Sequence, residues 1–155
     1  FNKLSVTLDK GFPIKVVAVK SDNSRSEDEI VDLHTQAELG GIILSHKNIY
    51  VAQCTSITPM ELFKVFKQGL TAFAPAFFNI LNVDAEDHEN PYLWTSASIE
   101  GRDFPGFVYQ GLLGKPWGSR FTVTNNPQPD LEWPIHEIEY ETDRPARRVC
   151  VLTAN

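Results

Sequence analysis

The chain has 155 residues, 42% of them hydrophobic, and its 14 Lys and Arg against 20 Asp and Glu give a formal net charge of −6. That length and apolar content suit one globular domain with a sizeable core and exclude disorder. Scattered bases among more numerous acids exclude a nucleic-acid face and a basic membrane face, and no stretch reaches the roughly 20 apolar residues of a bilayer span. With no signal-like segment either, the sequence reads as a cytoplasmic protein without nucleic-acid or membrane partners.

Phe1, Leu4 and Leu8 share one helical face, and Gly11 with Pro13 just beyond it predicts where that helix stops. "IKVVAVK" (14–20) is a nearly continuous β-branched run, the mark of a strand covered on both faces in a parallel sheet. A polar turn follows. Ser26 and Glu29, with Glu27 and Asp28 between them, form a capping box that opens a second helix, continued by Ile30, Leu33 and Ala37. Gly40 and Gly41 are expected to loosen or restart this helix, and "IILSHKN" to finish it.

"IYVAQC" (49–54) reads as the second strand. The helix after it is predicted to start at Thr58 as cap, Pro59 in the first position and Glu61 completing a box. Leu62, Phe63, Phe66, Leu70 and Phe73 are its expected buried stripe. "AFFNILNV" (76–83) is a third apolar strand. Strands alternating with helices at these lengths predict an α/β fold, an open and mostly parallel sheet with helices on both faces.

From Asp84 the pattern changes to an acidic turn "DAEDHENP", a helix from Pro91 to about Arg102, and short strands in "FPGFVYQ", "SRFTVTN", "HEIEYE" and "RRVCVLT". Seven of the ten prolines lie from Pro91 onward, which favours extended segments at a sheet edge over a second core. The chain thus reads as one domain, with an alternating core over 1–83 and a helix-plus-strand extension over 84–155. Beginning at Phe1 and ending just after "RRVCVLTA", it also reads as a piece of a larger multidomain polypeptide.

Cys54 and Cys150 stand far apart without C-x-x-C partners, so cluster and zinc sites are not expected. Two buried reduced thiols are favoured over a disulfide. Parallel sheets take ligands beyond the carboxyl ends of their strands, which directs attention to the loops Ser21–Ser26, Thr55–Thr58 and Asp84–Asn90. Ser21, Asp22, Asn23 and Ser24 offer oxygens suited to Mg²⁺, though such residues also form purely local turns. Asp84 to Asn90 lacks the glycine and final Glu of a calcium loop and reads as a solvated turn. No G-x-S-x-G elbow surrounds Ser56, Ser96 or Ser98, and His34, His46, His88 and His136 show no ligand spacing and read as surface or helix-end residues. Trp94, Trp117, Trp133, Phe104, Phe107 and Tyr109 read as core and edge packing.

Five stretches, "FNKLSVTLDKGFPIKVVAVKSD", "GGIILSHKNIYVAQ", "FAPAFFNIL", "IEGRDFPGFVYQG" and "NPQPDLEWPIHEIEY", cover most of residues 1–142. Together they resemble the thiamine diphosphate-binding domain of pyruvate:ferredoxin oxidoreductases and their 2-oxoacid oxidoreductase-like relatives. The resemblance implies a sheet of the thiamine diphosphate-binding type, with cofactor and Mg²⁺ held at strand ends. In the family a Gly-Asp-Gly motif, absent from this chain, precedes the helix corresponding to Phe1–Lys10. Further contacts fall on Ser21, Asp22, Asn23 and Ser24, Ser21 standing where a Thr hydroxyl binds the metal and Asn23 where a backbone carbonyl does. No catalytic acid or base is assigned in the segment. The parent polypeptide would decarboxylate a 2-oxoacid oxidatively and pass electrons through iron–sulfur clusters elsewhere to ferredoxin or flavodoxin. Its partners would be other domains of the same polypeptide and, by resemblance, a second copy in a homodimer; the segment alone would be inactive.

This sequence departs from the family where relatives continue the loop with a glycine-containing segment. Here "SRSEDE" supplies three acids and no glycine, which repel a diphosphate and prevent close backbone approach. That departure sets up an alternative, a degenerate non-catalytic domain of the same fold kept for structure or assembly.

Overall fold

The computed structural model describes residues 2–21, 38–46, 48–82, 90–111, 114–123, 126–131, 135–140 and 146–151. Helix α1 (Asn2–Asp9) turns at Gly11, whose φ of 71° suits glycine, and leads into strand β1 (Lys15–Ser21). Residues 38–43 are helical (α2) through both Gly40 and Gly41. Strand β2 (Tyr50–Thr55), helix α3 (Pro59–Thr71) and strand β3 (Ala76–Asn82) follow within two residues of the expected bounds. Helix α4 (Pro91–Glu100) precedes β4 (Phe107–Gln110), a 3-10 turn (Trp117–Arg120) and the two-residue β5 (Phe121–Thr122). The capping box at Ser26–Glu29 and the helix positions Ile30, Leu33 and Ala37 lie outside the described residues.

The five strands form one sheet in the order β1-β3-β2-β4-β5. β1, β3 and β2 are parallel, while β4 and β5 extend the edge antiparallel, so the sheet is mixed with a parallel centre. Strands β6 (Ile135–Tyr140) and β7 (Ala146–Val151) do not join it. They pair with each other as a separate antiparallel ribbon, so of the expected C-terminal strands β4 and β5 form the edge extension and β6 and β7 do not.

The connection from β1 to β2 steps two places across the sheet, and that from β2 to β3 steps one place back. Right-handed connections running in opposite directions must lie on opposite faces, and α2 and α3 do. On one face Leu8 of α1 and Ile43 of α2 pack with Val51, Phe77 and Tyr109. On the other, Val65, Leu62 and Phe66 of α3 pack on Tyr50, Ala52, Cys54, Phe78 and Ile80, Phe66 stacking on Phe78 at 4.3 Å.

Helix α3 presents a different stripe from the expected one. Val65 and Gly69 are buried, whereas Phe63 is 66% and Phe73 94% exposed, with Leu70 exposed as well. Gly69 explains the seating: a Cβ there would stand 2.6 Å from both Phe78 and Tyr50, so only glycine lets the helix come this close at that angle. Turned to face the sheet through Leu62, Val65, Phe66 and Gly69, α3 leaves Phe63, Leu70 and Phe73 outside. Val17 and Val19 of β1, in register with Phe78 and Ile80 on this face, are also exposed. Lys15 ties the bottom of β1 to the turn after α3, its Nζ donating to the carbonyls of Ala72 at 2.6 Å and Ala74 at 2.8 Å.

Candidate functional site

The ends of the three parallel strands set the geometry. Ser21 is level with Asn82, and Thr55 with Leu81, so the loops after β1, β2 and β3 leave from one edge. The ladder runs one residue further, Ser56 N–H donating to Leu81 O at 3.0 Å. Ser21 thus reaches the carboxyl edge as the last residue of β1; Asp22, Asn23 and Ser24 lie outside the described residues. So do residues 84–89 of the acidic turn, whose far end is fixed by Asn90: its side-chain oxygen accepts from Leu93 N–H at 3.1 Å and caps α4.

The turn from β2 into α3 is the best described part of the edge. Pro59 takes the first helical position as expected, but Thr58 makes no side-chain cap bond, which corrects the predicted capping box. Beside this uncapped N-terminus a cavity of about 20 Å³ is bounded by Cys54, Thr55, Thr58, Glu61, Phe104 and Gly106. Thr55 is buried and its Oγ1 has no hydrogen-bond partner among the described residues. A buried unpaired hydroxyl costs free energy, and here it stands at the edge where ligands bind. The cavity has room for a water-sized group only.

Glu61 sets the charge there. Burial, reinforced by the Glu61 carboxylate, pushes the Cys54 thiol up from 9.0 to about 12. Tyr50 is likewise raised above its ordinary 10.0, first by burial and then by Cys54 and Glu61. Cys54 is therefore a free, buried and protonated thiol, in keeping with the expected reduced state, and supplies no thiolate nucleophile at neutral pH. The side chain of Cys150 lies outside the described residues.

A row of buried amides holds the cavity wall in place. Asn79 Nδ2 donates to Gln53 Oε1 at 2.8 Å, and Gln53 Nε2 donates to Pro105 O at 2.9 Å. Next along, Asn126 brackets Gly106, accepting from its N–H at 2.7 Å and donating to its carbonyl at 2.7 Å. Strand β3 is thereby coupled through β2 and the 105–106 segment to Asn126. Sequence reasoning passed over these residues, although a Gln and an Asn in the middle of "YVAQCT" and "AFFNILN" were the available signal.

His46 lies just past the end of α2, one of the two placements expected for it. It is 7% exposed, not a surface residue, and its Nδ1 lies 2.7 Å from Asp9 Oδ1 with Nε2 3.3 Å from Ser5 Oγ. In the neutral tautomer with its proton on Nδ1, facing the Asp9 carboxylate, Nε2 accepts from the Ser5 hydroxyl. Asp9 precedes β1 and His46 precedes β2, which puts this row at the amino end, where it ties α1 to the turn after α2. Among the expected packing aromatics, Phe104 and Tyr109 are buried, Trp117 is exposed, and Trp133 lies outside the described residues.

Among the described residues no group of three His, Cys, Asp or Glu side chains could hold a metal ion, and no helix is long and apolar enough to cross a membrane. Comparison with known proteins returns no match, whether to family models, curated proteins or solved structures.

Thr55→Val removes the unpaired hydroxyl without changing side-chain shape. It is expected to raise stability by about 1 kcal/mol in thermal or urea unfolding. A fall in stability would mean that the hydroxyl is satisfied by water in the cavity.

Proposed function

We propose that the chain is part of a thiamine diphosphate-dependent 2-oxoacid:ferredoxin or flavodoxin oxidoreductase-like polypeptide, a cytoplasmic enzyme. In this reading the chain supplies the second polar loop of the cofactor domain. The supporting observation is the placement of Ser21, level with Asn82 at the carboxyl edge of three parallel strands, with β3 between it and the β2–α3 turn. The Ser21 hydroxyl and the Asn23 carbonyl would hold Mg²⁺, with Asp22 and Ser24 lining the diphosphate.

The described residues do not themselves fit a diphosphate. Beside the α3 N-terminus there is about 20 Å³, and Glu61 puts a like charge there. Holding the cofactor would thus fall to the loop after Ser21 and to segments elsewhere in the parent. When bound, thiamine diphosphate supplies the electron sink for loss of CO₂ from a 2-oxoacid. The segment alone would not turn over.

A second reading, a domain of the same fold that binds no cofactor and serves assembly, is favoured by the exposed apolar side chains Phe63, Leu70 and Phe73 of α3 and the turn after it and Val17 and Val19 of β1. Other domains of the polypeptide or a second copy would cover them.

Calorimetric titration of the full-length polypeptide with thiamine diphosphate, with and without Mg²⁺, separates the two. Saturable Mg²⁺-dependent binding that Ser21→Ala weakens is the expected result. Neither heat nor thermal stabilisation at millimolar cofactor would leave the assembly role.

A further inference from the structure

We propose that the cleft between α2 and the β4–β5 edge is a second binding site, one that takes a flat aromatic monocarboxylate. It is a shallow cleft, open to solvent, of about 510 Å³, lined by Gly41, Leu44, Ser45, Tyr109, Trp117 and Arg120. That is the size of a small-molecule site, and its make-up is the usual one, apolar walls with few polar groups. Tyr109 stands in register with Val51, the second residue of β2, so the cleft lies towards the amino end of the parallel strands, away from the Ser21 edge.

Each wall has a reason for its position. Tyr109 is buried and forms the floor, with Phe121 packed on it at 4.9 Å. Trp117 meets Phe121 edge to face at 4.7 Å, which anchors the indole while leaving it 62% exposed. Such a ring gives a planar apolar body a surface to stack on.

Arg120 supplies the selective group. Its Nε donates to Lys115 O at 2.8 Å and its Nη1 to the Tyr109 hydroxyl at 3.3 Å, so the guanidinium is held in one orientation, with Nη2 making no hydrogen bond among the described residues. No carboxylate pairs with it among the described residues. A fixed planar fork beside an aromatic wall recognises a planar carboxylate, and the protein's net charge of −6 disfavours a polyanion. One acidic group on a flat apolar body satisfies all three features.

The test is calorimetric titration of the full chain with 2-naphthoate and with its neutral analogue 2-naphthalenemethanol. Naphthoate is expected to bind saturably with Kd below about 1 mM, and the alcohol about tenfold more weakly for want of the charged hydrogen bonds. Arg120→Gln should erase that preference. Gly41→Leu should abolish binding of both compounds while keeping the fold, because a Cβ at Gly41 meets nothing within 4 Å and its side chain would fill the cleft. No saturation by naphthoate, equal affinity for the two compounds, or unchanged affinity in Gly41→Leu would each overturn the site. Should Arg120→Gln fail to fold, the Gly41→Leu titration decides.

Discussion

Gln53→Leu is expected to destabilise the protein by about 2–5 kcal/mol, although it exchanges a polar side chain for an apolar one of similar size in the core. Gln53 is 1% exposed and Asn79 fully buried, so neither water nor a surface rotamer can replace what is lost. Leucine removes the acceptor 2.8 Å from Asn79 Nδ2 and the donor 2.9 Å from Pro105 O. Each buried hydrogen bond lost in this way costs about 1–3 kcal/mol, and two are affected at once. Urea unfolding should show a lower midpoint with an unchanged slope. A loss under about 1 kcal/mol would mean that the 105–106 segment shifts to new partners.

These amides also mark where the sequence stops being informative. The apolar runs of β1, β2 and β3 identify strands because such runs suit a sheet covered on both faces. Nothing in them tells which strand is central; β3 lies between β1 and β2 because of crossover direction, a property of the assembled chain. Helix α3 was legible as a helix, but its buried side was not. Its aromatics suggested one stripe, and the close contact at Gly69 selected another. Glycine has no side chain for a hydrophobic pattern to register.

The candidate edge was legible in outline for the same reason the strands were: parallel runs imply a common carboxyl edge. Thr55 was named only as the start of a loop, because burial of a hydroxyl without a partner depends on Phe104 and Gly106 closing over it from distant positions. Trp117 packs at the sheet edge against Phe121 and Tyr109, as expected of its apolar ring, yet stays 62% exposed. Its exposure follows from the 3-10 turn and the edge contact with Phe121, neither visible as periodicity.

Raising the pH from 9 to 11 is expected to cost about 2–3 kcal/mol of stability through Cys54 alone. The thiol titrates at 9.0 when solvated and at about 12 in the fold, chiefly because burial penalises the thiolate and secondarily because Glu61 adds a like charge. The folded state therefore keeps a proton that the unfolded state releases. The sign follows: this contribution is fully present below pH 9 and is lost progressively as the pH climbs towards 12. Tyr50, raised for the same reasons, adds to the loss above its ordinary 10.0. Chemical denaturation at fixed pH values would measure the slope, and Cys54→Ala should flatten it between pH 9 and 10, leaving the Tyr50 part above. A stability profile with no decline to pH 11 would mean that water reaches the sulfur, and would return Cys54, beside the α3 N-terminus, to consideration as a reactive thiol.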